Sequence, residues 1–393
     1  MKLTNLKIII LVLTLIPLMT GCYNYQELNN LSIVTGTSIE KENDKYKVTI
    51  QVVNPKKNDD ARSSSQPTFI TYSQVGDTLQ EAYRNIVLTS SRRIYGSHIN
   101  ILIISEEIAE KDIRETIDFI FRNPEIRKEF YVLLSKTPSK LLELNTPITN
   151  ISSSNIKDTL TADAIHLAAS KQVTYNQMMN MYLNPNLEIV LPTIEIIGED
   201  TKGDDIDNLK HTDPKTDYKL TGLAVFKENK ILTTLKDKEA IVYNIITNNI
   251  NNTILKYECE KDKYIANKIS EISTSTEIEP KTNKLKIKLN GTAAISEIHC
   301  NYDLTNPKAI KEIEKNINNQ LTKDTLNLIK KFQNLHTDIF GFKDIYYKNN
   351  YKEFQNIKNN YDEKFKNMQL EIKSNIKIIA KGNVEGDIYE MEN

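Results

Sequence analysis

Alternation of apolar and polar positions is clearest over residues 45–53 (KYKVTIQVV), where Tyr46, Val48 and Ile50 fall on one face of a strand. Four further segments are strand-like: 32–40, the alternating segment 68–73, and the apolar runs 99–105 and 130–135, which read as buried strands. Helical spacing separates several of them, beginning with a helix that Asp77 is expected to cap. This order of strands and helices predicts a mixed α/β N-terminal domain.

Helical periods continue into a helical middle piece near 138–185. The predicted helices of this half are 108–121, 138–144, 156–169 and 173–183. Residues 187–197 are extended, and Pro192 predicts a sheet edge or a bulge there. The polar, Gly- and Asp-containing segment 201–217 predicts a linker. We therefore expect an N-terminal domain over 22–200 and a C-terminal domain over 218–393.

The pattern beyond the linker predicts a hairpin that turns at Glu228 and Asn229. A helix over 238–246 follows, then long strands of an antiparallel sheet at 253–260, 264–276 and 284–297. An amphipathic helix over 306–336, a short helix over 361–368 and a last strand over 369–381 complete this half. The predicted fold class is α+β: a mixed α/β N-terminal domain and a C-terminal domain of antiparallel sheet plus long helix, behind a cleaved signal peptide.

The first 21 residues have the pattern of a secretory signal peptide. Two lysines precede the apolar run 8–18, and the small residues Thr20 and Gly21 precede Cys22. The run is shorter than the about 20 residues that a transmembrane helix needs. The string from Met19 to Cys22 resembles a bacterial lipobox, which implies cleavage before Cys22 and attachment of lipid to its thiol. Cys22 is the one residue for which we predict a chemical role.

The composition and the spacing of reactive residues bear on which kinds of binding site and catalysis the chain can have. The chain has 51 basic and 52 acidic residues, so no basic excess indicates nucleic-acid binding. Two cysteines remain besides Cys22, and the spacing of Cys259 and Cys300 leaves open whether they pair. The five histidines lack the spacing of a metal site, and no nucleophile elbow or glycine-rich phosphate loop occurs. We therefore predict no enzymatic activity, no metal and no cofactor.

Arg92, Arg93 and His98 lie in a string that precedes the apolar strand beginning at Ile99. Such a string can bind an anion, or it can form a structural polar cluster against the sheet. We favour the structural cluster, with Arg93 and His98 near the edge of the core, because no nucleophile or carboxylate pair completes a site. His336, at the end of the long helix, is interpreted as a helix-terminal cation.

Four strings occur in a characteristic order along the mature chain: Gly21 to Gly36, Ser90 to Ile99, Leu220 to Lys227, and Asp338 to Phe342 with the later aromatics Tyr351, Tyr361 and Phe365. Together they resemble the Ger(x)C family, the C-subunit lipoproteins of spore germinant receptors. Three positions depart from the family pattern. Tyr23 and Asn24 replace Trp and Asp, and Lys343 replaces a Gly.

The resemblance implies an α+β, non-enzymatic subunit that is lipid-anchored on the outer face of the spore inner membrane. Its partners would be the A-type and B-type membrane subunits of the receptor, and its role would be nutrient-triggered germination. The alternative is a substrate-binding lipoprotein of a transporter, which normally has two Rossmann-like lobes and more Gly and Trp. An exported enzyme is a third class, for which we find no set of catalytic residues.

Overall fold

The computed structural model describes residues 30–54, 67–199, 203–205, 207–208 and 212–380. Cys22, the signal peptide, the predicted loop over 55–66 and the acidic tail lie outside these residues. Within them the chain forms two sheets. Helices and strands alternate in the first half, and a sheet with a long helix follows in the second, which confirms the predicted α+β class.

The first sheet has the order β3-β2-β1-β5-β6-β7-β8-β9, and β4 pairs with β1 beside this path. Its strands are β1 Leu31–Glu42, β2 Lys45–Val53, β3 Phe69–Gly76, β4 Arg93–Tyr95, β5 Ile101–Ser105, β6 Tyr131–Ser135, β7 Val190–Gly198, β8 Thr216–Lys227 and β9 Lys230–Leu235. Pairing is antiparallel at both ends and parallel from β1 through β5 and β6 to β7. The buried central strands therefore need helices on both faces.

Six helices cover the first sheet in the described part of the chain: α1 Leu79–Asn85, α2 Glu106–Lys111, α3 Arg114–Arg122, α4 Pro138–Glu143, α5 Ser152–His166 and α6 Tyr175–Leu183. Successive residues of β5 point to opposite faces. Leu102 and Ile104 pack with α1, α2, α3 and α6, whereas Ile101 and Ile103 pack with α4 and α5. The continuous apolar run in β5 thus reflects burial on both sides.

Two local predictions in this half are wrong. Asp77 does not cap α1, because the Thr78 hydroxyl accepts the Glu81 N–H at 3.1 Å while Asp77 pairs with Lys45 at 2.9 Å. The predicted helix over 108–121 is two helices, α2 and α3. The chain is extended at Asp112, whose carboxylate accepts the Arg114 N–H at 3.0 Å, and this Asx contact interrupts the helix.

Other local predictions are confirmed. Asn43 and Asp44 have positive φ angles between β1 and β2, and Glu228 and Asn229 have them between β8 and β9. The register between β7 and β8 shifts between Thr193 and Ile194, directly after Pro192. Of the two features predicted for Pro192, a sheet edge or a bulge, the structure shows the bulge.

The second sheet has the order β10-β11-β12-β13, formed by β10 Asn252–Glu260, β11 Lys263–Glu279, β12 Lys284–Ile298 and β13 Gln369–Ala380. Its helices are α7 Lys238–Ile246, α8 Pro307–Asn334, α9 Phe342–Asn349, α10 Tyr351–Ile357 and α11 Tyr361–Lys366. The first three strands are antiparallel, as predicted, but β13 runs parallel to β12. The helices from α8 to α11 form the long crossover that a parallel pair requires.

The outer edge of β13 is covered by side chains of α8. The Asn318 carboxamide donates to the Ile376 carbonyl at 3.0 Å and accepts the Ile376 N–H at 2.7 Å. The Glu314 carboxylate accepts the Ile378 N–H at 2.9 Å. These contacts satisfy backbone groups that an edge strand otherwise leaves unpaired.

Strands β8 and β9 follow the predicted 201–217 linker in sequence, yet they belong to the first sheet. Val190, Leu223 and Val225 of that sheet share one core cluster with Ile241 and Phe340 of the second half. The two sheets are therefore joined through a common apolar core, and the exact domain boundaries stay a prediction.

A disulfide links Cys259 near the end of β10 to Cys300 just after β12, with 6.5 Å between the Cα atoms. The spacing of the two cysteines left their pairing open, and the structure shows that they pair. The bridge crosses β11, which lies between these two strands, and Cys300 is buried.

Candidate functional site

Asp338 is the most heavily bonded motif residue of the second half. It lies in the turn between α8 and α9, and its side chain is buried. One carboxylate oxygen accepts the Phe340 N–H at 3.0 Å, and the other accepts the Lys343 N–H at 2.6 Å and the Tyr361 hydroxyl at 3.0 Å. Burial raises the pKa of Asp338, and these hydrogen bonds oppose the rise. The carboxylate thus holds the turn and α11 together.

An aromatic cluster surrounds this turn. The ring of Phe340 lies 5.1 Å from that of Phe342 and 5.8 Å from that of Phe332, between ring centroids. The cluster extends through further buried rings and reaches the exposed ring of Tyr347; the buried ones are Tyr243, Tyr346, Phe354, Tyr361 and Phe365. Aromatic pairs of this kind contribute about 0.5–1.5 kcal/mol each beyond the area they bury.

Gly341 shows why the motif has glycine between two phenylalanines. Its φ is +78°, in the left-handed region, and a Cβ there would lie 3.3 Å from the Leu187 side chain. A side chain at this position would therefore strain the backbone and press against the first half of the molecule.

The Asp338 turn is also where the two halves of the chain meet through polar contacts. The Asn184 side-chain amide donates to Asp344 at 3.1 Å, and the Lys343 ammonium donates to the Pro185 carbonyl at 3.1 Å. From β8, the Lys227 ammonium donates to the His336 carbonyl at 3.0 Å. We call this contact region, formed by residues 184–188, Lys227 and residues 335–344, the seam.

Glu188 lies in the seam and is half-buried. Burial raises the pKa of Glu188 to about 7, the Asp338 carboxylate adds to this rise, and Lys343 opposes it. The carboxyl group is therefore partly protonated near neutral pH, and its ionisation works against the packing of the seam.

We expect Glu188→Gln to stabilise the protein at pH 8 and to have little effect at pH 5. Because the folded-state pKa lies above the unfolded one, the folded state gains stability as the pH falls from about 7 towards 4.5. The variant removes the charge at every pH, so the gain at pH 8 is up to about 3 kcal/mol. Thermal unfolding at both pH values measures it. The exposed Glu353→Gln is the control, and an equal gain at both pH values would contradict the assignment.

The predicted cluster of Arg92, Arg93 and His98 is spread over an exposed surface. Arg92 is half-buried, Arg93 and His98 are exposed, and among the described residues no hydrogen bond or ion pair joins the three side chains. The strand from Ile101 is aligned by backbone pairing with β1. The ring of His98 lies 5.8 Å from that of Tyr95. Cys22, the predicted lipid site, lies outside the described residues.

His336 lies two residues beyond the end of α8, with a positive φ of 51°. Its Nδ1 atom lies 3.1 Å from a carboxylate oxygen of Glu363 on α11. The histidine thus contacts α11 rather than completing the last turn of the long helix.

Two cavities among the described residues have volumes of about 400 Å³ or more. One of about 420 Å³ lies between the end of α5 and the second sheet, with an aliphatic floor and an ion pair of Lys238 and Asp324 (2.6 Å) at its rim. The other, about 890 Å³, is an open charged groove beside α1 and α3. It is lined by three arginines, each of which has a carboxylate partner: Arg114 pairs with Asp112, Arg122 with Asp118 and Arg84 with Glu125.

Neither cavity is lined by a histidine or a cysteine. No group of three or more potential metal ligands occurs among residues whose positions are described. Within that same part of the chain, no helix has the length and apolar character needed to span a membrane.

Sequence reasoning found the Asp338 motif but missed Glu188 and the seam. The seam joins residues more than 100 positions apart, such as Asn184 with Asp344. No local pattern signals a contact of that range. The Tyr-, Lys- and Asn-rich segment that forms α9 and α10 also gave no clear helical period.

Comparison with known proteins gives matches along nearly the whole chain. Residues 24–196 match the family described as the spore germination protein N-terminal domain, and residues 221–382 match the family described as spore germination B3/GerAC-like, C-terminal. Spore germination protein KC of Bacillus subtilis is 26% identical over 372 residues, covering 91% of this chain and 90% of that protein. Spore germination protein GerQC of Bacillus cereus is 20% identical and covers 80% and 83%.

The fold also matches a solved structure. The crystal structure of the GerBC protein aligns with 91% of this chain and 100% of its own, with a TM-score of 0.53 and 15% sequence identity. At 15% identity, this similarity is evidence for a shared fold alone.

Proposed function

Because this chain belongs to the Ger(x)C family of spore germination proteins, we propose that it is the lipid-anchored C subunit of a nutrient germinant receptor. The observation that carries the proposal is the ordered match of both family domains behind the Gly21-Cys22 lipobox. The subunit would lie on the outer face of the spore inner membrane and act with A-type and B-type membrane subunits.

The role proposed is binding and assembly rather than catalysis. Two features of the polar groups support it: the buried carboxylate of Asp338 is used to hold a turn, and the arginines of the open groove are each paired with a carboxylate. The alternative of a transporter's substrate-binding lipoprotein gains no support, because the second sheet is mainly antiparallel and is covered by a long helix rather than built as a second Rossmann-like lobe.

Deleting the gene in its spore-forming host tests the receptor role. We expect spores without the chain to lose the response to at least one nutrient, measured as the loss of optical density and release of dipicolinic acid. Restoring the wild-type gene should restore the response. Unchanged germination with every nutrient, in a strain without related genes of this family, would contradict the proposal.

Replacing Cys22 tests the anchor separately. Each buried CH₂ of an acyl chain contributes about 0.8 kcal/mol to membrane binding, so removing the lipidated thiol should reduce the membrane-bound fraction by about tenfold or more. We expect Cys22→Ala to appear in the soluble fraction of the exporting cell. Mass spectrometry of the native protein should find diacylglycerol on Cys22. An unmodified Cys22 in membrane-bound protein would contradict the anchor.

A further inference from the structure

The cavity of about 420 Å³ lies where the first and second halves of the chain meet. Its wall takes residues from four places: the chain just after α5, the start of α7, strand β10 and the middle of α8. Its aliphatic lining residues are Leu167, Ala169, Ile241, Ile254, Leu255, Ile317 and Leu321. Ligand pockets have volumes of about 300–1,000 Å³. A cavity of this size and lining can enclose the apolar part of a small molecule.

The exposure of the lining residues gives this cavity a floor and a mouth. Ile241, Ile317 and Leu321 are buried, so the floor is aliphatic. Ile254 is 50% exposed and Leu167 is 41% exposed, and they continue the apolar surface to the mouth. The exposed charged residues of the lining are Asp237, Lys238 and Lys256. Apolar side chains therefore lie inside and charges lie at the opening, which is the arrangement that an amphipathic molecule requires.

The charged groups at the mouth leave one ammonium group for a ligand. The Lys238 ammonium lies 2.6 Å from one carboxylate oxygen of Asp324, and the other oxygen accepts the Gln320 side-chain amide at 2.9 Å. The Lys256 ammonium lies 5.2 Å from the ring centroid of Tyr264 and has no ion pair with any residue that the structure describes. Its long aliphatic stem can carry the charge to an anion at the mouth.

The lining also bears on the shape and size of the ligand. Tyr257 is the one aromatic residue of this lining, so the wall offers little surface on which a planar ring could stack. A cavity of about 150 Å³ holds benzene, so about 420 Å³ has room by proportion for about 17 carbon atoms. Asp237 is a negative charge at the same mouth, so a ligand with one carboxylate fits better than one with several. These features favour a flexible chain with a single acidic end.

We propose that this cavity binds a fatty acid of about 12–16 carbon atoms, with its chain against Ile241, Ile317 and Leu321 and its carboxylate at Lys256. The inference goes beyond the proposed receptor role, because neither the site nor its test depends on germination. A lysophospholipid offers the same chemistry, one acyl chain below an anionic group, from a membrane source. The proposed lipid anchor at Cys22 would keep the chain close to such molecules.

A single tryptophan can report on the cavity, because the chain has none. Ile254→Trp places an indole at the mouth, and Leu232→Trp, at a 37% exposed aliphatic residue of β9, is the matched control. Each is introduced into the mature full chain with Cys22→Ser, and sodium dodecanoate is added below its micelle concentration. We expect a saturable blue shift of the emission from Ile254→Trp and none from Leu232→Trp.

Calorimetry on the chain without a tryptophan measures the affinity directly. Each CH₂ that enters the cavity should tighten binding about fourfold, and acids longer than about 16 carbon atoms should gain nothing further. Leu255→Trp fills part of the cavity and should weaken the binding of dodecanoate at least about tenfold, whereas Leu232→Trp should leave it unchanged. The series of chain lengths uses the unsubstituted cavity, so it tests the site even if Leu255→Trp does not fold.

The acidic end is tested with three ligands of one chain length: dodecanoate, dodecanol and lysophosphatidylglycerol with a 12-carbon chain. Lys256→Ala should weaken the binding of dodecanoate by up to about fivefold and leave that of dodecanol unchanged. Lys352→Ala, which removes an exposed cation outside the cavity, should change neither. Tighter binding of the lysophospholipid than of dodecanoate would support the site and identify the membrane as the source. An equal effect of Lys256→Ala on acid and alcohol would overturn the assignment of Lys256.

Two results would overturn the site as a whole. One is the lack of saturable binding of all three ligands, or an affinity that keeps rising with chain length and is the same in Leu255→Trp. The other is a blue shift of Ile254→Trp that appears only when receptor membrane subunits are added, which would favour a partner's strand on β10, the edge of the second sheet. Neither result concerns germination of the deletion strain, so failure of the site and failure of the proposed function are distinguishable.

Discussion

Replacing Asp338 with alanine is expected to lower the free energy of unfolding by about 3–5 kcal/mol, because it leaves buried hydrogen-bond donors without an acceptor where water cannot reach them. Its carboxylate accepts the N–H groups of Phe340 and Lys343 and the hydroxyl of Tyr361. Each buried donor left without an acceptor costs about 1–3 kcal/mol. Denaturation in urea, followed by circular dichroism, measures the loss.

Two variants make that experiment specific. Tyr361→Phe removes one donor while keeping the ring, so it should cost about 1–2 kcal/mol. Asp362→Ala removes an exposed neighbouring carboxylate and should change stability by less than about 0.5 kcal/mol. A loss at Asp338 no larger than that at Tyr361 would show that the two backbone N–H groups find other acceptors.

Removing the disulfide should have an effect of similar size. Cys259 and Cys300 are 41 residues apart in sequence, and closing a loop of that length stabilises the folded state by about 4 kcal/mol in the chain-entropy account. We expect the double variant Cys259→Ser/Cys300→Ser to unfold at a correspondingly lower urea concentration. The same shift should follow when the wild-type protein is treated with dithiothreitol.

The reductant also provides the control. Dithiothreitol should leave the unfolding of the double variant unchanged, since neither cysteine remains in the described fold. Wild-type protein that unfolds at the same urea concentration with and without reductant would contradict a stabilising bridge. Because β10 and β12 are held on either side of β11, the loss should appear in the second half of the molecule.

Elements with a strong local signal were predictable from the sequence. The alternation over 45–53 gives β2 with its predicted bounds, and the helix over 238–246 is also placed correctly. Both segments carry their pattern within one element. The family strings likewise pointed to Asp338, whose bonding partners all lie within 23 residues of it.

Features set by distant contacts were not predictable in this way. A parallel β13 depends on where the crossover helices return the chain, and its residues alternate in the same manner in either direction. The break at Asp112 depends on one side chain that competes with a helical hydrogen bond. The pairing of Cys259 with Cys300 could be recognised only once the two strands were placed, because spacing in sequence does not show which residues of different strands are neighbours.

The place of β1 in the first sheet has a mechanical consequence. The strand nearest the proposed anchor is not at an edge, because β2 and β5 are hydrogen-bonded on either side of it. A pull on the anchor acts along β1 and across those hydrogen bonds, so it loads them together in shear rather than opening them one at a time. Force transmitted through the lipid would thus be spread over the centre of the sheet, where the fold best resists extraction.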